Sequence, residues 1–550
     1  MPEVFAYTIA ALARITGLAI SHLPDSASFP TVQTADGQSI TVSPLSIRFG
    51  ANFKAQLAAV VLFSIANTHG ACISRGWTQI FEIYNTLFVH SLLPPSLLSM
   101  DDFLAGTAPI PLKPKTAQTR PRDAERRDGG LLSTLSSYLL SPYGPAAETM
   151  GRDVTDEDVE HTLCTVDCIA SCRVEDLHQQ IQQLPSPVLV ALVQSLVRLA
   201  ERHTVERTRA RSVSTSNGTS TPPPPSINGP SAQREPLPYD PSSVFLLELI
   251  VSITSKADGA IEQTWPIVFE LLSRILVASS TFSALLTERV VVALLRLASV
   301  IARHEALHDQ LFLALDALRS LSVPVLISVA DQLAAGLSKV VSEHGLAIRT
   351  ATEWNLVLSL LAATASRDDA ARHSFALVSS LMNDGKLRAE NFAPFVHCLE
   401  AFVAAAGARD LKQADGTDDP MVERAKAALE LLRESPPLVE SLVKASSQPR
   451  QQAWEAYWLP VLSVYAAQST NASREVRQLA LASLQRTLVS PEVLLGEAGP
   501  SIDLTVVFER LIFPTIDELL KPQVFRRDPG GMGETRLRAS ALLCKIFLTT

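Results

Sequence analysis

The chain has 550 residues, too many for one ordinary hydrophobic core, and the usual domain size points to roughly three to four structural units. Apolar residues make up 47% and charged residues 19%, which excludes a chain that is disordered throughout. The 23 glycines exclude a collagen-like chain, and a net charge of −9 speaks against a surface built to wrap nucleic acid.

Six cysteines in a chain of this length make no disulfide framework. Residues 1–17 carry no basic segment ahead of their apolar run, so no secretory signal is read there. No run of 18 residues is uniformly apolar and uncharged, so no spanning helix is expected, and the default environment is a reducing cytoplasm.

In chain order, residues 1–104 read as a first helical block. Residues 105–130 combine prolines with six basic and three acidic residues and read as a basic linker. Residues 131–203 read as a helical segment. Its acidic run, Asp153, Asp156, Glu157, Asp158 and Glu160, lacks the spacing and the glycine of a calcium loop and suits a helix start, where the dipole favours carboxylates. His161 precedes Cys164, Cys168 and Cys172, which share one helix face. From 161 to 172 the helix rises about 16 Å, too far for four ligands to converge on one ion, so these cysteines read as small buried apolar residues.

Residues 204–238 are rich in serine, threonine and proline and read as a disordered linker. Arg207, Arg209 and Arg211 precede Ser212 and Ser214, which marks both serines as candidate phosphorylation sites. Neither linker interleaves aromatic with basic residues, so no nucleic-acid partner is expected. Both could touch an anionic membrane surface.

Beyond 239 the hydrophobic period is helical, in a middle block at 239–447 and a C-terminal block at 448–550. Helices are predicted near 281–303, 306–320, 324–343, 351–366, 369–383 and 473–489, with short gaps that make neighbours antiparallel. In the last of these, Val476, Leu479, Ala480, Leu484 and Leu488 form the apolar stripe and Ser473 is the expected N-cap. No alternation of period two is found.

His304, Glu305 and His308 spell HExxH, in which two histidines on one helix face hold zinc and the glutamate polarises a bound water. The motif falls where one apolar stripe gives way to another. Leu311 and Ala314 stand where the extended form needs glycine and a third histidine, so it reads as a surface turn. Ser441 and Lys444 match SxxK without any supporting motif. No phosphate loop, nucleophile elbow or dinucleotide fingerprint occurs. Gly530, Gly531, Met532 and Gly533 precede a helix and read as an inter-helix loop, with phosphate cradling as the weaker reading.

One segment echoes another. Glu475-Val476-Arg477, followed by Ala480, Leu484 and Leu488, returns as Glu534-Thr535-Arg536, then Ala539, Leu543 and Phe547. Each copy follows a helix with a proline step, Leu459-Pro460 or Phe513-Pro514, a pattern similar to HEAT-type repeats. The final helix keeps apolar Leu537, Leu543, Cys544 and Phe547 where a capping repeat would be polar, so the array is expected to be cut within its course.

Three segments in matching order resemble the large Golgi-type Arf guanine-nucleotide exchange factors of the brefeldin-A-resistance-factor family. They are Gly530 to Ala539 with Gly530, Gly531, Met532, Glu534, Arg536 and Arg538; RFGANFKAQLAAVVLFSIANTHGACISRGWTQI at 48–80; and ERVVVALLRLASVIAR at 288–303. In the second, Lys54-Ala55, His69-Gly70 and Arg75-Gly76-Trp77 are the points of likeness. The resemblance implies the region downstream of the catalytic exchange domain, beginning inside its first block. No loop like Phe-Arg-Leu-Pro-Gly-Glu, which would carry the exchange glutamate, is found here. It also implies small GTPases of Arf or Rab type, Golgi membrane lipids and the remainder of the exchange factor as partners, and a cytoplasmic place at the Golgi periphery.

The expectation is therefore an all-α, HEAT/armadillo-like helical solenoid with disordered linkers. It would act as a non-catalytic regulatory and membrane-targeting scaffold, without catalytic, cofactor-binding or metal residues. The alternatives are an unrelated HEAT-type transport adaptor and a zinc hydrolase using His304, Glu305 and His308.

Overall fold

The structure is a computed structural model and describes residues 2–20, 29–34, 37, 39–104, 106–113, 154–208, 236–408, 419–490 and 504–549. Most of both linkers therefore lies outside the described residues, as do Asp153, Arg209, Arg211, Ser212 and Ser214. The chain is an all-α helical repeat protein. Its contacts divide into two compact units, Met1–Gln332 and Leu333–Thr550.

The first unit contains α1 (Pro2–Thr16), α2 (Pro44–Gly50), α3 (Phe53–His69), α4 (Trp77–Val89), α5 (Asp156–Ser171), α6 (Val174–Ile181) and α7 (Ser186–His203). It continues with α8 (Pro241–Lys256), α9 (Ile261–Val277), α10 (Ala284–Ile301) and α11 (His308–Ala317). Helix α12 (Val323–His344) runs through the division. Two three-residue hairpins interrupt the helices. Strand β1 (Thr31–Gln33) pairs with β2 (Ser39–Thr41), and β3 (Ser99–Asp101) with β4 (Thr107–Pro109), both antiparallel. Strands this short cannot display an alternating pattern, which is why none was legible.

Helix starts follow local chemistry. Thr155 and Asp158 form a reciprocal capping box ahead of α5, and Ser43 and Ser46 do the same for α2. Asp240 caps α8, with Pro241 in the first turn, where a missing N–H costs nothing. The linkers separate elements in sequence but not in space. Helices α2 and α3 pack on α5 across the first, and α7 packs on α8 across the second. Ser46 and Thr162 hydroxyls meet at 2.9 Å, and the Tyr84 hydroxyl donates to the Val174 carbonyl at 2.8 Å. The Phe88 and Phe245 rings stack at 4.4 Å, joining α4 to α8. Each such buried side chain contributes about 1.5–3 kcal/mol of hydrophobic free energy.

The second unit contains α13 (Ala351–Ala362), α14 (Asp368–Asn383), α15 (Ala389–Ala405), α16 (Pro420–Glu434) and α17 (Pro436–Ala445). It ends with α18 (Arg450–Gln468), α19 (Arg474–Leu488), α20 (Leu504–Val507), a π-helical turn (Phe508–Ile512), α21 (Phe513–Leu520), α22 (Pro522–Phe525) and α23 (Pro529–Thr549). Helix α15 packs on α13, α16 and α18; α19 packs on α16, α18 and α23; α21 packs on α23. Ser473 occupies the N-cap position of α19 without capping it, because its side chain makes no cap bond.

Two helices are long and apolar enough to cross a membrane by length and composition, Phe53–Cys72 and Val323–Ala347. The search for uninterrupted apolar runs missed them because Ser64, Asn67 and Thr68 punctuate the first and Asp331 the second. In the structure, Ala55, Ala59, Leu62 and Phe63 of the first are buried within the helix stack.

Candidate functional surfaces

Helices α1 and α3 pack together. Ile9 and Ala13 of α1 and the alanine-rich side of α3 are buried. The remaining apolar residues face outward. On α3, Phe53, Leu57 and Val61 stand four apart, so they form one stripe, and Phe53 is 76% exposed. On α1, Val4, Tyr7 and Ile15 are exposed, Tyr7 to 72%. From Val4 onward neither helix contains an acidic residue, whereas Arg14 and Lys54 are exposed on them. Gly76, within the Arg75-Gly76-Trp77 motif, seats α1 closely. A Cβ there would lie 2.9 Å from the side chains of both Ile9 and Ile73.

The C-terminal helices are joined by a buried guanidinium. Arg477 is fully buried; its Nη1 donates to the carbonyls of Asn471 (2.6 Å) and Ala472 (3.2 Å), and its Nε to Thr535 Oγ1 at 3.1 Å. Its Nη2 pairs with Asp528. Asp528 also accepts the Gly531 N–H at 3.0 Å, so one carboxylate caps α23 and anchors α19. Partial burial pulls the Asp528 carboxyl upward, but the Gly531 N–H and the guanidiniums of Arg477 and Arg474 outweigh it and hold it below the usual carboxylate range.

Gly530 to Gly533 are thus not an inter-helix loop but the opening of α23 itself. Proline at the first position and Asp528 as cap start the helix despite the glycines. A Cβ on Gly531 would sit 2.2 Å from Arg474 Nε and 2.3 Å from Asp528 Oδ2, so glycine is needed for the close approach. Met532 is fully buried, Glu534 pairs with Arg538 at 2.6 Å, and Arg536 donates to the Leu519 carbonyl at 2.8 Å while lying over the Phe525 ring. The echoed arginines Arg477 and Arg536 therefore both tie a second helix back to preceding backbone. A groove of about 250 Å³ between α18 and the π-turn and α21 is lined by small and polar residues, with Arg510 and Glu518 at its charged positions.

In the first unit a second buried guanidinium, Arg289, donates to Glu248 Oε1 and to the Asp101 carbonyl, each at 2.6 Å. Arg296 bridges Glu248 (3.4 Å) and Asp101 (2.7 Å).

The remaining sequence candidates are placed as follows. His304 lies before a short 3₁₀ turn (Glu305–Leu307) and His308 begins α11, so the two histidines do not share one helix. His304 Nε2 meets Asp258 at 2.9 Å, and the His308 ring packs edge-on against Phe312. Cys164 is exposed, Cys168 half-buried and Cys172 buried, so only one of the three is fully inside. Asp156, Glu157 and Asp158 occupy the first turn of α5. Ser441 donates to the Leu438 carbonyl and Lys444 faces Glu440 at 3.7 Å. Among the described residues no group of three His, Cys, Asp or Glu is arranged to hold a metal ion.

Residues 458–550 match a family model described as the GBF1-like tetratrico peptide repeat region. That block contains Arg477, Asp528 and the whole of α23. The ARF guanine-nucleotide exchange factor GNOM of Arabidopsis thaliana is 25% identical over 526 residues, 91% of this chain. The Golgi-specific brefeldin A-resistance guanine nucleotide exchange factor 1 homolog of Caenorhabditis elegans is 27% identical over 58% of it. Over most of its length this chain is similar to large ARF guanine-nucleotide exchange factors. ARF guanine-nucleotide exchange factor 1 of Saccharomyces cerevisiae is 30% identical over 29% of the chain. The chain spans 33% of the length of GNOM, 15% of the worm relative and 11% of the yeast one. The exchange-factor match names its repeat class as tetratrico peptide, where the pattern pointed to HEAT type; both are stacks of helix pairs.

The α1–α3 stripe, Asp528 and the Arg289 pair were missed by sequence reasoning. Asp528-Pro529-Gly530 carried a helix-start signal that could have been read. Arg289 meets a partner 41 residues away, and the exposed side of α3 is set by packing against α1, so neither had a local signal.

Proposed function

We propose that this chain is a non-catalytic scaffold region of an Arf guanine-nucleotide exchange factor in Golgi vesicle transport, holding that factor at the cytoplasmic membrane surface through α1 and α3. The carrying observation is the pair of exposed apolar stripes on helices without acidic residues from Val4 onward. Adjacent exposed apolar area of this kind marks a contact surface. Arg14 and Lys54 beside it suit anionic lipid, each basic group adding about 1 kcal/mol near such a surface. Helical stacks offer broad exteriors, and an Arf-type GTPase is the proposed partner, in keeping with the exchange-factor relatives. By itself the chain leaves nucleotide release from Arf at its spontaneous rate.

Flotation with vesicles of purely neutral lipid and with vesicles of mixed neutral and anionic lipid tests the reading. The wild-type chain is expected to float with the anionic vesicles. The double variant Phe53→Asp, Leu57→Asp should lose at least about tenfold in partitioning, since two apolar contacts are removed. A wild-type chain that stays with the soluble fraction, or a double variant that floats equally well, contradicts it.

A further inference from the structure

Helix α5 carries two thiols one turn apart at its C-terminal end. Residues i and i+4 of a helix share a face, with Cβ atoms about 5–6 Å apart, and Cys168 and Cys172 have that spacing. The Cys172 N–H donates to the Cys168 carbonyl at 3.1 Å, which closes the turn, and also to the Ile169 carbonyl at 3.1 Å. A shared N–H of this kind marks a last turn already tightening toward the 3₁₀ form. Arg173, next in the chain, takes the left-handed conformation and stops the helix.

The two thiols differ in access. Cys168 is half-buried and Cys172 is buried. A side-chain hydrogen bond from Cys172 holds the Cys168 thiol below its usual range, and burial offsets this only in part. The same bond, together with burial, pushes the Cys172 thiol up. The reachable sulfur is thus the better nucleophile, and a second thiol stands behind it to resolve what it forms. Both residues also grip α3. The Cys168 thiol donates to the Gln56 carbonyl at 3.7 Å, and the Cys172 carbonyl accepts from Asn67 Nδ2 at 3.5 Å. Gln56 in turn donates its side-chain amide to the carbonyls of Phe49 (3.1 Å) and Gly50 (2.6 Å) at the end of α2.

We infer that Cys168 and Cys172 are a reversible dithiol–disulfide site, oxidised by a small-molecule disulfide, and that closing the bond loosens the last turn of α5 from α3. The Cys168 thiolate attacks one sulfur of the oxidant and expels the other half as a thiolate, giving a mixed disulfide. Cys172 then attacks the Cys168 sulfur, and the second half of the oxidant leaves as a thiolate. The first leaving thiolate recovers the proton that Cys168 released, and the second takes the proton of Cys172. The protein loses two electrons and two protons, and the oxidant gains both. A disulfide needs its Cβ atoms about 3.5–4.5 Å apart, so closure draws the terminal turn inward by about 1–2 Å. It removes the thiol that donates to Gln56 and shifts the Cys172 carbonyl away from Asn67. A bond held against helix geometry is easily reduced, which suits one that forms and is undone.

Incubating the full chain with oxidised glutathione, alkylating the remaining thiols and weighing the peptides tests the inference. Cys164, exposed and one turn earlier on α5, is the internal control. The wild type should show a disulfide between 168 and 172, with Cys168 consumed at least about threefold faster than Cys164. Cys172→Ser should stop at a mixed disulfide on Cys168. In the oxidised wild type, amide exchange across 53–69 should quicken about fivefold, the equivalent of one lost hydrogen bond, and dithiothreitol should restore it. Three results in the wild type, which need no variant to fold, each overturn the inference. They are two thiols left intact, a disulfide joining 164 to 168, and oxidation that leaves exchange across 53–69 unchanged.

Discussion

Arg477 and Arg289 are both buried guanidiniums that bind a carboxylate and backbone carbonyl oxygen, but their surroundings differ. Around Arg477 the single carboxylate Asp528 is also satisfied by a helix N-terminus, and Arg474 stands nearby. Around Arg289 and Arg296 two guanidiniums of one helix share Glu248 and Asp101. The first cluster closes on a helix N-terminus and the second ties a hairpin to two helices. The lesson is that a buried guanidinium is tolerated where backbone carbonyls as well as a carboxylate accept from it.

The largest expected effect breaks the Arg477–Asp528 brace. Arg477→Ala should destabilise the second unit by about 3 kcal/mol or more, because it leaves Asp528 facing no buried cation and opens a cavity. Hydrogen exchange in denaturant, read on peptides covering 450–488 and 529–549, would report it. Next comes Gly531→Ala. Its Cβ would clash with Arg474 and Asp528, so a loss of about 1–3 kcal/mol is expected, against roughly no loss or a small gain for Gly533→Ala, which meets nothing within 4 Å. Equal effects of the two substitutions would break the close-approach argument.

Thr535→Val should cost about 1 kcal/mol through the lost acceptor for Arg477 Nε. The subtlest expectation sharpens the comparison by pH. The Asp528 contribution is present above the ordinary carboxylate range and is lost as pH falls through its lowered value. Between pH 6 and pH 8 the brace should therefore be unchanged. Thermal melts of the wild type and of Asp528→Asn from pH 3 to 8 should converge only at the acid end.

Helix positions were legible because periodicity and capping are local. The predicted runs at 281–303 and 369–383 correspond to α10 and α14 within a few residues. The glycines at 530–533 misled because a propensity that disfavours helix was overruled by Asp528, Pro529 and the packing of Met532. The HExxH spacing is present, but spacing cannot reveal that the chain breaks between Ile301 and His308. The stripe on α3 went unnoticed because alanine, leucine and valine occur on both its sides, so only contacts separate the buried face from the open one.

The most direct test of the central claim is hydrogen exchange of the chain with and without anionic vesicles. Slowed exchange is predicted in peptides covering 2–17 and 53–73, with peptides from 458–488 and 529–549 unchanged. Protection confined to the C-terminal block, or none anywhere at saturating lipid, would contradict the account.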